Sequence, residues 1–111
     1  MKKNNIILFV IIIAIILIIS IIFYFKTNNS LDEKTARCIA SKSQLYVSKT
    51  CSHCAEQKQI LGDYFNYFNI IDCLEEIEKC ENILAVPTWI INNKQYTGVK
   101  SLKELKRLTN C

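Results

Sequence analysis

The sequence predicts an α/β domain in the order α-β-α-β-α-β-β-α, with a four-stranded mixed sheet, preceded by one N-terminal apolar helix. Three observations lead to this class: residues 6–25 are continuously apolar, β-rich and amphipathic segments alternate after residue 33, and a CxxC pair follows the first strand. Two βα units followed by a hairpin and a helix imply a mixed sheet with helices on both faces.

The run IILFVIIIAIILIISIIFYF (6–25) carries no charge, and Ser20 is its clearly polar side chain. A helix of about 20 residues is about 30 Å long, which matches the hydrocarbon core of a bilayer. A chain of 111 residues is too small to cover a helix that is apolar all round. We therefore predict a transmembrane segment.

The flanks of this run favour an uncleaved signal anchor over a cleaved signal peptide, which remains the alternative. The run is long, ends in the aromatic stretch 23–25, and is not followed by an A-x-A cleavage site. Lys2 and Lys3 precede it, which favours a cytoplasmic N-terminus (1–5) and a single-pass protein in the cell membrane. We expect a linker at 26–33 and an extracytoplasmic domain at 34–111.

All six cysteines lie beyond the apolar run: Cys38, Cys51, Cys54, Cys73, Cys80 and Cys111. An even number of cysteines in a small exported domain predicts disulfides. Residues 26–111 carry twelve of the fourteen Lys and Arg residues and all ten acidic residues, without a long basic run. Nothing in this charge pattern indicates nucleic-acid binding.

The periodicity of the outer domain predicts each element in turn. Helices are expected at 33–41 with Asp32 as N-cap, from Cys51 along an apolar stripe to Phe68, at 74–82 with a Glu75–Lys79 pair, and at 102–109 with Ser101 as N-cap. Strands are expected at 44–48, 68–72, 88–92 and 94–98, with Asn92-Asn93 as the hairpin turn.

The CxxC pair is placed where a strand gives way to a helix, which suits redox chemistry. Unpaired N–H groups and the helix dipole favour a thiolate on Cys51, so we expect it to be the nucleophile and Cys54 to resolve the mixed disulfide. His53 between them would stabilise the thiolate, or would be an exposed loop histidine without a role. The alternative for the pair is a zinc site, but no second pair of ligands with short spacing accompanies it.

The single proline, Pro87, stands directly before the third strand, in the stretch AVPTW. A CSHC at a strand–helix junction followed by Val86-Pro87 before a hairpin resembles the thioredoxin fold. Within that fold, the chain is most similar to the thioredoxin-like domain fused to, or partnered with, bacterial and archaeal vitamin K epoxide reductase homologues. The phrases that carry this resemblance are ARC (36–38), YFNIIDC (67–73), VPTWIINNKQYTGVKSL (86–102) and the terminal TNC.

The resemblance implies a thiol–disulfide oxidoreductase that forms disulfides in exported proteins, without a cofactor or metal beyond its redox-active disulfide. Its partner would be a membrane vitamin K epoxide reductase homologue that passes electrons to quinone. Pro87 would be cis, and Val86 before it would line the substrate groove. Three residues depart from the family pattern: Ser52 replaces a common proline, Thr50 a common tryptophan, and Leu45 a buried acid found in several classes.

The four remaining cysteines allow three pairings. We hypothesise the structural disulfides Cys73–Cys80 and Cys38–Cys111. A reductase or isomerase with the same fold is an alternative function, because the direction of electron flow is not encoded in the motif. A non-catalytic binding module held together by three disulfides is a second alternative.

Overall fold

The computed structural model describes residues 2–28 and 30–111, in which residues 31–111 form one compact unit and the N-terminal helix another. Helix α1 (Lys2–Asn28) has a mean hydropathy of 3.8 in its most apolar window. Within the described chain it is the one helix long and apolar enough to cross a membrane. The Ser20 hydroxyl donates to the Ile16 carbonyl at 2.8 Å, so this polar group is satisfied inside the helix.

The compact unit contains three further α-helices, two 3₁₀ helices and four strands. They are α2 (Glu33–Ser41), β1 (Ser43–Val47), α3 (Ser52–Leu61), a 3₁₀ helix (Gly62–Tyr67), β2 (Asn69–Asp72), a second 3₁₀ helix (Ile77–Cys80), β3 (Thr88–Ile91), β4 (Lys94–Thr97) and α4 (Leu102–Thr109).

The four strands form one mixed sheet in the order β2-β1-β3-β4. Strand β1 pairs in parallel with β2, so that Leu45 lies beside Ile70, and antiparallel with β3, so that Leu45 lies opposite Trp89. The hairpin from β3 to β4 turns at Asn92 and Asn93, whose φ values of 51° and 61° are those of a type I′ turn. This topology is thioredoxin-like, and it confirms the predicted fold class.

The hydrophobic core lies on one face of the sheet. Leu45 and Val47 are two residues apart in β1, so their side chains lie on the same face of the sheet. Trp89 and Ile91 in β3 lie on this face as well. Trp89 is fully buried and packs edge-on against Phe68, with ring centroids 5.8 Å apart. Helices α2, α3 and α4 all contribute side chains to this cluster. The expectation of α-helices on both faces was therefore wrong.

The predicted third helix, 74–82, was also wrong. Residues 73–75 form a turn, the Leu74 N–H donates to Asp72 Oδ1, and only the short 3₁₀ helix follows. The Cα atoms of Cys73 and Cys80 are 5.7 Å apart, whereas an α-helix would separate residues seven positions apart by about 10 Å. The expected pair between Glu75 and Lys79 is absent for the same reason.

The two predicted N-caps are confirmed. Asp32 accepts a hydrogen bond from the Thr35 N–H, and the pKa of Asp32 is lowered by hydrogen bonds from Thr35, first from its side chain and then from its backbone. Ser101 and Glu104 form a capping box, in which hydrogen bonds from Ser101 lower the pKa of Glu104. Gly62, with a φ of 57°, ends α3, so the prediction of one helix from Cys51 to Phe68 was wrong beyond Leu61, where a 3₁₀ helix follows.

Candidate redox site

Cys51 and Cys54 are joined by a disulfide at the first turn of α3. Cys51 is the N-cap of this helix, and its backbone is extended where β1 leads into the helix. The N–H of Cys54 donates to the Cys51 sulfur at 3.1 Å, while the N–H of Ala55 donates to the Cys51 carbonyl. The sulfur of Cys51 therefore takes the place that a capping oxygen usually occupies.

The two cysteines differ in exposure. Cys51 is half-buried, whereas Cys54 is only 6 % exposed and packs into the hydrophobic core. Thiol–disulfide exchange requires an attacking thiolate to reach a sulfur directly. In this site an incoming thiolate reaches Cys51 more readily than Cys54.

The same geometry stabilises a thiolate on Cys51 once the disulfide opens. The Cys54 N–H points at the sulfur, and the positive end of the α3 dipole lies beside it. Hydrogen bonds to the charged form of a thiol favour that form. The electrostatics of the helix start thus favour Cys51 as the reactive sulfur.

The side chains between the two cysteines face solvent. Ser52 is exposed, and the His53 side chain is 74 % exposed, with Nδ1 lying 3.5 Å from a carboxylate oxygen of Glu56. Among the described residues, Glu56 is the polar partner of His53, and no hydrogen bond joins the imidazole to Cys51. Any effect of His53 on Cys51 in this arrangement acts through space.

Val86 and Pro87 lie directly beside the disulfide, although they are more than 30 residues away in sequence. The carbonyl oxygen of Val86 is 3.6 Å from the Cys51 sulfur, and the Val86–Pro87 peptide bond is cis. Pro87 is buried, and its carbonyl accepts a hydrogen bond from the Gly98 N–H at 2.8 Å. When the disulfide is reduced, the Cys51 thiol can donate its hydrogen to the Val86 carbonyl. The disulfide has no hydrogen to donate.

Two fully buried side chains near the cysteines in sequence are uncharged. Leu45 in β1 is apolar, so no carboxylate occupies this position. Gln57, also fully buried, accepts hydrogen bonds at Oε1 from Trp89 Nε1 (3.0 Å) and from the Lys100 N–H (2.7 Å). Its Nε2 donates to the Lys100 carbonyl at 3.1 Å.

Gln57 was not singled out from the sequence. It joins α3 to β3 and to the loop before α4, so it fixes the helix that carries both cysteines. A signal was present, because Cys54, Gln57 and Leu61 follow the three- and four-residue spacing of a buried helical stripe. The exposed Gln59 beside it has the same side chain, so composition alone does not separate the two.

A cavity of about 530 Å³ opens beside the disulfide, large enough for one or two side chains of another polypeptide. Its walls combine apolar and charged side chains. The lining residues are Val47, Ser48, Lys49, Cys51, Cys54, Ala55, Lys58, Phe65, Ile70, Asp72, Glu75 and Glu76.

The other four cysteines are also paired. Cys38 in α2 is bonded to the terminal Cys111, with Cα atoms 6.0 Å apart, and Cys73 is bonded to Cys80. These are the two pairs hypothesised from the sequence. The Lys42 ammonium group donates to the carbonyl of Thr109 at 3.0 Å, so a second contact ties the C-terminus to the end of α2.

A comparison with known proteins shows what this chain is similar to. The chain is 29 % identical over 103 residues to the thiol-disulfide oxidoreductase LTO1 of Arabidopsis thaliana. The match covers 78 % of this chain and 27 % of the relative, so the chain spans about a quarter of that protein's length. No protein-family model matches the chain.

The solved structures that overlap with it in part include two of the alkylhydroperoxide reductase AhpF from Enterococcus faecalis. A C503A mutant has a TM-score of 0.45 at 20 % identity, and the NTD_N/C domain has a TM-score of 0.43 at 21 % identity. Each overlap covers 71 % of this chain and 44 % of the other.

Proposed function

We propose that the chain is a membrane-anchored thiol–disulfide oxidoreductase that acts outside the cytoplasm and donates its Cys51–Cys54 disulfide to exported proteins. The observation that carries this proposal is the asymmetric disulfide at the start of α3, with Cys51 accessible and Cys54 buried. The similarity to a protein named thiol-disulfide oxidoreductase supports the same chemistry.

The reaction transfers two electrons from the client protein to the chain. A client thiolate attacks the Cys51 sulfur, the Cys51–Cys54 bond breaks, and Cys54 leaves as a thiolate. A second client thiolate then attacks the client sulfur of the mixed disulfide and releases Cys51 as a thiolate. The client gains a disulfide, and the N–H of Cys54 with the helix dipole stabilises the departing Cys51 sulfur.

The backbone beside the disulfide suits recognition of an extended client segment. Because Val86 precedes β3 and its carbonyl faces Cys51, a client strand that pairs there would bring its cysteine to the reactive sulfur. The half-buried Val86 side chain would contact the client, and Pro87 would hold the loop in place.

The reduced pair must be reoxidised after each turnover. We propose that a membrane vitamin K epoxide reductase homologue accepts its two electrons and passes them to quinone. The support for this partner is the sequence resemblance of residues 34–111 to domains that work with such reductases. Helix α1, long and apolar enough to cross a membrane, would keep both proteins in the same membrane with the domain outside.

Trapping of mixed disulfides tests the proposal. In cells that express the full chain, the Cys54→Ser variant has no Cys51–Cys54 disulfide to donate, but in the reverse reaction its Cys51 thiolate attacks a client disulfide and one client sulfur leaves as a thiolate. Without Cys54 no thiol of the chain resolves this mixed disulfide, so client proteins should accumulate as disulfide-linked complexes through Cys51. Cys51→Ser is the matched control and should trap few or none, because its remaining sulfur is buried. Equal trapping by both variants, or by neither, would contradict the assignment of the two cysteines.

A further inference from the structure

The connection between β2 and β3 exposes large apolar side chains. Leu74 is 55 % exposed, Ile77 69 % and Leu84 98 %. Within the described part of residues 31–111, Tyr67 is the one other large apolar side chain that is exposed. Three of these four side chains therefore lie in one connection, and exposed apolar side chains that lie together are typical of interaction sites.

This connection lies at the same edge of the sheet as the disulfide. Strands β1 and β2 are parallel, so the ends that lead to Cys51 and to Cys73 lie side by side, and the Cys73 N–H donates to the Val47 carbonyl at 2.9 Å. An ion pair joins Lys49, two residues before Cys51, to Glu75. Farther along, the connection leads into Val86, whose carbonyl faces the Cys51 sulfur.

The same connection carries a concentrated negative charge. The stretch DCLEEIEKCE (72–81) holds five of the ten acidic residues and one lysine, whereas residues 94–107 hold five basic residues and one acidic residue. Lys49 and Lys79 pair with Glu75 and Glu76. Glu78 and Glu81 are exposed, and neither forms an ion pair within the described chain.

The Cys73–Cys80 disulfide closes the first half of this connection into a short loop. Leu74 and Ile77 lie inside the loop, and Glu78 lies next to Ile77. A loop that is held in one conformation loses less conformational entropy when a partner binds. The disulfide thus holds apolar and acidic groups together in a connection whose two ends lie beside the redox site.

We propose that residues 72–84, which we call the β2–β3 face, bind the client segment that flanks the reacting cysteine and select clients with basic and apolar residues there. This inference rests on the proposed function and adds its substrate class. Charge complementarity identifies the occupant, because an acidic surface attracts a cationic polypeptide and repels an anionic lipid surface. The apolar side chains supply contacts that any extended peptide with large apolar residues can use.

The test compares peptides of one design. The oxidised full chain in zwitterionic nanodiscs is mixed with dithiol peptides whose cysteines are flanked by Lys and Leu, by Glu and Leu, or by Lys and Ser. Opening of the Cys51–Cys54 bond is followed by acid quench and thiol alkylation, and dithiothreitol, a small uncharged dithiol, is the reference. We expect the Lys and Leu peptide to react at least about fivefold faster than each of the others at low salt, with its advantage over the Glu peptide lost at high salt.

Variants separate the face from general effects of charge. Glu78→Lys with Glu81→Lys should reverse the preference between the Lys and Glu peptides. Glu33→Lys with Asp63→Lys makes the same change in net charge at exposed positions outside the face and should not reverse it. Leu74→Ser with Ile77→Ser should slow both Leu-containing peptides and leave the rate with dithiothreitol unchanged.

The outcomes distinguish this inference from the proposed function. If dithiothreitol and all peptides fail to open the Cys51–Cys54 bond, the proposed function fails. If dithiothreitol reacts but the peptides react alike, or the Glu78/Glu81 variant keeps the original preference, the β2–β3 face is not a client site. A rate that depends on the anionic lipid content of the nanodisc instead of on the peptide would assign the face to the membrane surface.

Discussion

At the residue scale, the sequence indicated the two cysteines of the CxxC pair, but it did not indicate Gln57, the buried residue that fixes their helix. A CxxC at a strand–helix junction is a local pattern, because four consecutive residues and the helix start carry the chemistry. Gln57 depends on partners 32 and 43 positions away, Trp89 and Lys100, and the sequence does not show that these meet. A buried amide with three hydrogen bonds is identified only once the fold is known.

The Gln57 amide leads to a stability prediction. Gln57→Leu removes both acceptor bonds and leaves the Trp89 Nε1–H and the Lys100 N–H without this partner, so we expect a loss of about 2–4 kcal/mol in the free energy of unfolding. The measurement is denaturant unfolding of the full chain in mild detergent, followed by fluorescence of Trp89, the sole tryptophan.

Gln59→Leu is the matched control, because Gln59 is an exposed glutamine on the same helix. We expect it to change the free energy of unfolding by less than about 0.5 kcal/mol. Similar losses in the two variants would show that the hydrogen bonds of Gln57 do not stabilise the domain.

At the scale of the elements, the helices with strong terminal signals were predicted well. Asp32 and Ser101 each mark a helix start because their side chains satisfy N–H groups that the helix leaves unpaired. The segment 74–82 has helical composition, yet the Cys73–Cys80 bond brings its ends too close for an α-helix. The sequence leaves the pairing of these cysteines open, so it does not show that a disulfide prevents the α-helix that the local composition favours.

The capping carboxylates predict a pH dependence of stability. The pKa values of Asp32 and Glu104 are lowered by hydrogen bonds from Thr35 and Ser101, so each stabilises the fold above its unfolded-state pKa. This contribution is lost as the pH falls through the lowered values. Asp32→Asn with Glu104→Gln keeps side chains that can cap but do not titrate.

We expect this double variant to lose less thermal stability than the wild type between about pH 6 and pH 3. The measurement is the unfolding midpoint at each pH by circular dichroism. An identical loss in both proteins would show that the two caps do not contribute to the acid sensitivity, which would then come from other carboxylates.

The two structural disulfides predict unequal losses of stability. By the chain-entropy estimate, removing Cys38–Cys111, which closes a loop of 73 residue steps, should cost about 4 kcal/mol, and removing Cys73–Cys80 about 2.5 kcal/mol. The paired serine variants of each bridge are compared by denaturant unfolding. A larger loss for Cys73–Cys80 would indicate that local packing, and not loop closure, determines the contribution of each bridge.

At the scale of the whole molecule, hydrophobic patterning determined the main features. An uninterrupted apolar run gives the N-terminal helix, and alternating segments give the mixed sheet of residues 31–111. The placement of the α-helices on one face was not predictable, because it depends on the Cys73–Cys80 bond, which keeps the connection between β2 and β3 from forming an α-helix. The direction of electron transfer also belongs to this scale, since it depends on the relative stability of the oxidised and reduced protein.

The proposed function requires that Cys51–Cys54 is an exchangeable disulfide, unlike the other two. The decisive experiment is to equilibrate the full chain with glutathione redox buffers, alkylate the free thiols, and map the modified peptides by mass spectrometry. We expect Cys51–Cys54 alone to open, with a midpoint between about −120 and −200 mV, the range of oxidants and isomerases. A midpoint of about −270 mV would reverse the proposed direction of electron flow. A disulfide that stays closed even at potentials below about −300 mV would be structural, and this result would contradict the proposal.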